Sequence, residues 1–209
     1  MSYKTEQEAF WAGDFGNAYV ERSSNPVRIA HRTAIFSKIL ARTRGVGSVI
    51  ELGANIGQNL IGIQRLMPNA RLTGVEINDT AAAQLAATPG ISKVHHGSML
   101  DFSPEQLGKH DLAFTSGVLI HINPDEVQEV YRRLYECSNK YVVVNEYYNP
   151  QPVEVNYRGH AGRLFKRDFA GEIMDHYPDL ELVDYGFQYH RDPNFPADDC
   201  TWFLMKKPG

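Results

Sequence analysis

A doubly wound α/β domain, with a mostly parallel sheet of seven strands and a helical N-terminal segment, is the fold class this 209-residue chain predicts. Three observations predict it. From about residue 48 onward, short β-branched and apolar runs alternate with segments of helical spacing. A glycine-bearing turn, Glu51-Leu52-Gly53-Ala54-Asn55-Ile56-Gly57, joins the first such run to the first such helix. The polar motifs of the core fall just after strands, on the edge where sheets of this class bind ligands at a switch in strand order.

Composition bounds the rest. With 43% hydrophobic and 22% charged residues, the chain can bury a core, and long disorder is not expected. A net charge of -4 gives no support for a broad nucleic-acid surface. Cys137 and Cys200 have neither metal-ligand spacing nor the density of a disulfide framework, so a reducing cytoplasm is the expected compartment. The polar N-terminus does not resemble a secretory signal, and no apolar run nears the ~20 residues that span a bilayer. One domain, 1–209, is expected. Residues 1–45 would form a helical cap, and 46–209 a core carrying substrate loops at about 147–168 and 186–200.

The elements follow in order. Residues 5–12 read as a short helix, and Gly13-Asp14-Phe15-Gly16 as a turn-like break. Asn25-Pro26 starts a helix: Asn caps, and Pro at the first position gives up no useful N–H. Ile29, Phe36, Ile39 and Leu40 carry that helix to about 42. Strand one is Ser48–Leu52, followed by a helix over 57–66 that stops near Pro68. Arg71–Glu76 is strand two, and Asp79 is the expected cap of a helix over 80–87. Lys93–His95 and Asp111–Thr115 are strands three and four. Asn123-Pro124 repeats the cap pattern before a helix faced by Val127, Val130, Tyr131 and Leu134. Tyr141–Asn145 is strand five, buried on both faces. A helix over 167–176 ends at Tyr177-Pro178, and 180–188 and 201–205 are the last strands.

At the glycine turn the chain reverses sharply. Gly53 tolerates the backbone angles, Gly57 permits close approach, and the following helix N-terminus offers free N–H groups to an anion. A dinucleotide fingerprint asks for G-x-G-x-x-G. Here Asn55 takes the second glycine position and Gln58 the third, and no Tyr-x-x-x-Lys pair is present, which speaks against an NAD-dependent enzyme. Glu76 closes strand two, where a carboxylate can accept both ribose hydroxyls.

The pattern E-x-G-x-N-x-G resembles the first motif of class I S-adenosylmethionine-dependent methyltransferases, in which the middle residue is usually glycine. Asp111-Leu112-Ala113-Phe114-Thr115-Ser116-Gly117-Val118-Leu119-Ile120-His121 looks like the same family's strand-four segment. The resemblance implies a Rossmann-like methyltransferase sheet, with S-adenosyl-L-methionine as cofactor and S-adenosyl-L-homocysteine as product. It implies cofactor contacts from Glu51, Gly53, Asn55, Gly57, Gln58 and Asn59, from Glu76 and Ile77, and from Thr115, Ser116 and Gly117 beside the methionine half. Ser98 and Met99 would meet the adenine; methyltransferases often have Asp where Ser98 stands. Trp11, Phe15 and Tyr19 form an aromatic segment that either lids the cofactor or packs on the sheet, and Arg22 or His31 is the expected partner of the methionine carboxylate.

A narrower likeness runs nearly end to end. T-E-Q-E-x-F-W-x-G-x-F-G-x-x-Y-x-x-R, ELGANIGQN, V-L-I-H-I, N-E-Y-Y-N-P, Y-R-G-H and Y-H-R-D-x-N-F-P together resemble the pseudaminic acid biosynthesis-associated methylases. That implies a small acceptor on a nonulosonic-acid or surface-sugar pathway. Five of the thirteen residues 156–168 are Arg, Lys or His, so Arg158 and Arg163 are expected to clamp an anionic or nucleotide-linked sugar. His121, Tyr148, Tyr157, Tyr189 and Arg191 are further candidate acceptor contacts, with Trp11 and Phe15. The reaction expected is in-line displacement at the sulfonium methyl by an acceptor O or N, without metal. Glu146 is the first choice of base, then Tyr147 and His160. An O- or N-methyltransferase of another small metabolite or natural product is one alternative, and a non-catalytic cofactor-binding protein is the alternative of another class.

Overall fold

The computed structural model describes residues 3–23 and 25–208. Its centre is a seven-stranded sheet in the order β3-β2-β1-β4-β5-β9-β8. The strands are β1 (Ser48–Leu52), β2 (Arg71–Glu76), β3 (Ile91–His96), β4 (His110–Ser116), β5 (Ser138–Glu146), β8 (Glu181–Phe187) and β9 (Thr201–Lys206). The first five pair in parallel, and β9 runs antiparallel between β5 and β8. Strand order reverses between β1 and β4, so a crevice opens at the carboxyl ends of those two strands.

Alternation along the strands separates two cores. Val49, Leu112, Phe114, Val143 and Leu204 face α3 (Val27–Leu40) and α4 (Gln58–Leu66), where Phe36, Ile39, Leu60 and Ile63 are fully buried. Leu85, from α5 (Asp79–Ala87), joins this layer. Ile50, Ala113, Val142, Val144 and Met205 face the other way, onto Tyr131 and Leu134 of α7 (Val127–Cys137) and Ile173 of α8 (Phe169–His176). Each such fully buried large side chain contributes ~1.5–3 kcal/mol of transfer free energy. Helices therefore cover both faces, the doubly wound architecture the alternation predicts. None of the described helices is long and apolar enough to cross a membrane.

Several boundaries differ for local reasons. Asn78, not Asp79, caps α5: its side chain accepts from Ala81 N–H at 3.0 Å. Pro26, in helical conformation, precedes α3 without a side-chain cap, and Asn25 accepts from Val27 N–H at 3.0 Å just before it. Asn123 instead spends its side-chain oxygen on Asp125 N–H in a turn, so α7 begins only at Val127. Asp14 starts a second cap helix where a break is expected: α1 is Glu6–Ala12 and α2 is Asp14–Ser23. A four-residue helix, α6 (Pro104–Leu107), and a hairpin of two two-residue strands, β6 (Val153–Glu154) with β7 (Phe165–Lys166), have no counterpart among the sequence expectations.

Candidate functional site

The loop after β1 turns on three left-handed residues: Gly53 (φ 80°), Asn55 (φ 47°) and Gly57 (φ 80°). Asn55 thus takes the left-handed conformation that a middle glycine would adopt, and its side chain accepts from Ile56 N–H at 2.8 Å. A Cβ on Gly53 would lie 2.7 Å from a Val118 methyl, and one on Gly57 would lie 2.5 Å from Leu85 Cδ1. Both glycines are required by close packing as well as by angle.

Above this loop lies a cavity of ≈160 Å³. Since ~10–15 Å³ suffices for one water, this is ligand-sized space. Its floor is the ends of β1, β2 and β4, and its roof is α1 and α2. Trp11, Tyr19, Glu51, Gly53, Asn55, Gln58, Asn59, Glu76, Ile77, Ser98, Met99, Ser116, Gly117 and His121 all line it. Of the other expected cofactor contacts, Gly57 packs on Leu85, Thr115 is buried within β4, and Arg22 is exposed, its guanidinium 5.5 Å from the Phe15 ring centre.

Glu51 is fully buried. Oε1 accepts from Asn59 Nδ2 at 2.6 Å, whereas Oε2 has no partner. Burial raises this carboxyl to about 8, against the Asn59 bond and the Arg32 charge. Arg28 and Arg32, one turn apart on α3, both line the same cavity. They replace Arg22 and His31 as its cationic groups; His31 packs near Phe195 instead, at 6.3 Å. Glu76 accepts from Asn55 N–H at 2.7 Å and Asn78 N–H at 2.8 Å, and burial raises it too. The Ile77 amide also favours its charged form, and a carboxylate's roughly four acceptor sites leave room for a further donor.

The roof is held at both ends. Asn78 Nδ2 donates to Asn17 Oδ1 at 2.9 Å and to Trp11 O at 3.3 Å. Gln7 Nε2 donates to Gly162 O at 2.9 Å, and Arg163 pairs with Glu6 at 3.1 Å while lying over Phe10. Phe10 also meets His160, at 5.0 Å between ring centres. Gln58 Nε2 donates to Ser23 O at 2.5 Å.

These contacts correct several expectations. Arg163 faces the cap and Arg158 is exposed, its guanidinium 5.9 Å from the Tyr157 ring centre, so the two do not form a clamp. His160 lies outside the cavity, on Phe10 and Phe15. Phe15 and Tyr157 form a second layer behind Trp11, and Tyr189 and Arg191 are exposed away from it. Glu146 faces away from the cavity: Val118 N–H donates to its two oxygens at 3.1 and 2.9 Å. Burial lifts it to about 7, opposed by the amides of residues 118–120. With Tyr148 it borders only a gap of ≈10 Å³, about one water, while Tyr147 packs under Lys166. Glu146 is a clasp on the turn after β4. Glu146→Gln is expected to cost about 1–3 kcal/mol, since the new amide cannot accept the same N–H groups at both atoms. Thermal melting would show that loss, and an unchanged melting temperature would refute it.

His121 is the cavity-lining histidine. Its Nδ1 lies 2.6 Å from Arg163 O, and a carbonyl only accepts, so Nδ1 carries the proton and Nε2 the lone pair. Burial lowers its pKa to about 4, so the ring is neutral near pH 7. Trp11 and Tyr157 pack on it at 4.6 and 4.8 Å. Among the described residues no group of three or more His, Cys, Asp or Glu is placed to hold a metal ion.

Sequence reasoning missed Arg28, Arg32, Gln7 and Glu8. The i,i+4 spacing of the two arginines was the available signal; Glu8 carried none beyond a local capping pattern.

No family model and no curated protein sequence matches the chain. Solved structures do. Magnesium protoporphyrin IX methyltransferase from Synechocystis, with bound SAH, superposes with a TM-score of 0.72 at 11% identity, covering 99% of this chain and 100% of that one. The plantazolicin methyltransferase in complex with SAH gives 0.66 at 14%, covering 97% and 94%. An S-adenosylmethionine-dependent methyltransferase from Clostridium acetobutylicum gives 0.64 at 11%, covering 93% and 98%. This chain therefore has the Rossmann-like, seven-stranded fold of the class I methyltransferases.

Proposed function

We propose that the chain is an S-adenosylmethionine-dependent methyltransferase, one domain whose residues 1–45 cap a core at 46–209. The observation that carries the reading is the charge layout of a single cavity. Arg28 and Arg32 line it, with the Arg32 charge acting on Glu51, whose Oε2 is unpartnered, and Glu76 closes β2, the strand between β1 and the β3 that leads to Ser98 and Met99. This set fits an amino-acid carboxylate and ammonium, a ribose diol and a purine in that order. When bound, the cofactor supplies an electrophilic methyl on sulfur.

The chain's own residues do the rest. Trp11 and Tyr19 exclude water over the reacting end. Ser116 and Gly117, held by Asn145 at 2.9 Å each, fix the wall beside β4. His121 Nε2 is the acceptor for a proton from an acceptor hydroxyl. Because burial keeps it a weak base, that proton moves in concert with methyl transfer.

The acceptor is proposed to be a small sugar-like acid or nucleotide-linked sugar in the cytoplasm, methylated on O or N. That finer reading rests on the end-to-end motif likeness. Of the two arginines expected to support it, Arg163 is engaged with the cap and Arg158 is exposed beside Tyr157. The test is transfer of tritiated methyl from S-adenosylmethionine to a panel of nonulosonic acids and nucleotide-linked sugars, with other small hydroxyl metabolites beside them. Label in a sugar product is expected. Cofactor binding without transfer to any acceptor would leave a binding protein, and no binding would overturn the reading.

A further inference from the structure

We propose that Glu8, a residue of the cap, is the acceptor that reads the 6-amino group of the cofactor's adenine. The inference rests on the cofactor reading above and deepens it.

The purine end of the cavity is walled by Gly97, Ser98, Met99 and Leu100 after β3. Distinguishing adenine from other purines requires an acceptor facing its exocyclic amine. At Ser98, the polar side chain of the β3 loop, the acceptor positions are already engaged. The Ser98 hydroxyl donates to Glu8 Oε1 and accepts from Leu100 N–H at 3.0 Å, and Ser98 O accepts from Asp101 N–H at 3.0 Å. The acceptor capacity of this end is thereby handed to Glu8.

Glu8 is built for that position. It is buried, lines the cavity, and sits on the first turn of α1. Its Oε2 accepts from Lys4 N–H at 2.7 Å and Thr5 N–H at 3.1 Å, the reciprocal half of a capping box with Thr5. A carboxylate offers about four acceptor sites, and these three donors leave one, on Oε1. The docking is reinforced from outside: Lys4 Nζ donates to Leu100 O at 3.0 Å and lies 3.4 Å from Asp101. The acid is thus delivered by the cap to a place the sheet leaves to a serine. Adenine is read only when the cap is seated.

Isothermal calorimetry compares S-adenosylhomocysteine with S-inosylhomocysteine, whose base carries a 6-oxo acceptor and an N1–H donor. The unaltered chain is expected to prefer the adenosyl ligand by about tenfold or more, the cost of leaving a buried polar group unpaired. In Glu8→Gln the preference should collapse or invert, because the new amide can donate to the 6-oxo group. Ser98→Ala, which leaves the carboxylate in place, should keep the preference in the same direction. If Glu8→Gln melts below assay temperature, Glu8→Asp withdraws the carboxylate by one methylene and should lose the preference equally. A purine preference unchanged in the Glu8 variants overturns the assignment and leaves the cofactor reading intact. Failure of the unaltered chain to bind S-adenosylhomocysteine removes both.

Discussion

Arg32→Met is expected to weaken S-adenosylhomocysteine binding by roughly 10–100-fold, and the Arg28→Met, Arg32→Met pair by more. A charge-assisted hydrogen bond contributes ~1.5–3 kcal/mol, and ~1.4 kcal/mol is tenfold in affinity. Neither guanidinium forms an ion pair with a carboxylate among the described residues, so both are available to an incoming anion. The control is 5′-methylthioadenosine, which keeps the nucleoside and lacks the amino-acid end. Its affinity should hardly change. If both ligands weaken alike, the arginines support the fold of the cap and not a carboxylate, and the orientation proposed for the cavity is wrong.

The second large effect is in pH. In the free protein, burial holds Glu51 at about 8, so at pH 7 it is mostly protonated. An ammonium placed at its unpartnered Oε2 favours the carboxylate, and binding then releases a proton. Affinity for S-adenosylhomocysteine should rise with pH toward 8, by at most about tenfold per unit, while the ligand's ammonium stays charged. Calorimetry in buffers of different ionisation enthalpy would measure the released proton directly. Glu51→Gln should flatten this dependence and weaken binding by roughly tenfold or more.

Stability should move the other way. An acid whose folded pKa is raised contributes stability that is intact below its unfolded value, near 4.5, and lost as pH rises through about 8. Glu51→Gln should therefore melt higher than the unaltered chain at pH 9, by a few kcal/mol in free energy. A variant that melts lower there would show that burial does not raise this carboxyl.

How much of this was legible in the sequence depends on how local each cause is. The strands were readable because Ser48–Leu52, Arg71–Glu76 and Asp111–Thr115 are compact apolar runs bounded by Gly, Pro or Asn. The Gly53–Gly57 turn was readable because its chemistry lies within seven residues. The caps were half readable. Asn25 and Asn123 each accept from the N–H two residues on, Asn25 directly before α3 and Asn123 in a turn four residues before α7, and Asn78 outcompetes Asp79 for Ala81 N–H. The role of Glu146 was misjudged because the terminus of β5 looks like a pore-facing position until the turn at Val118 folds back over it. Arg163 and Glu8 were beyond reach for a different reason: their partners, Glu6 and Ser98, lie 157 and 90 residues away. No local pattern records a contact made by a cap that closes over the far side of a sheet.

One latch has kinetic weight. Gln7 to Gly162, Glu6 to Arg163 and Phe10 to His160 join the cap to the hairpin that carries β6 and β7. On the proposed reading, the door over the cofactor and the wall beside the acceptor swing on shared hardware. Neither ligand can come or go while the other's enclosure stays shut. Turnover is then paced by how often this double fastening lets go, and spent cofactor and methylated product should depart in the same opening.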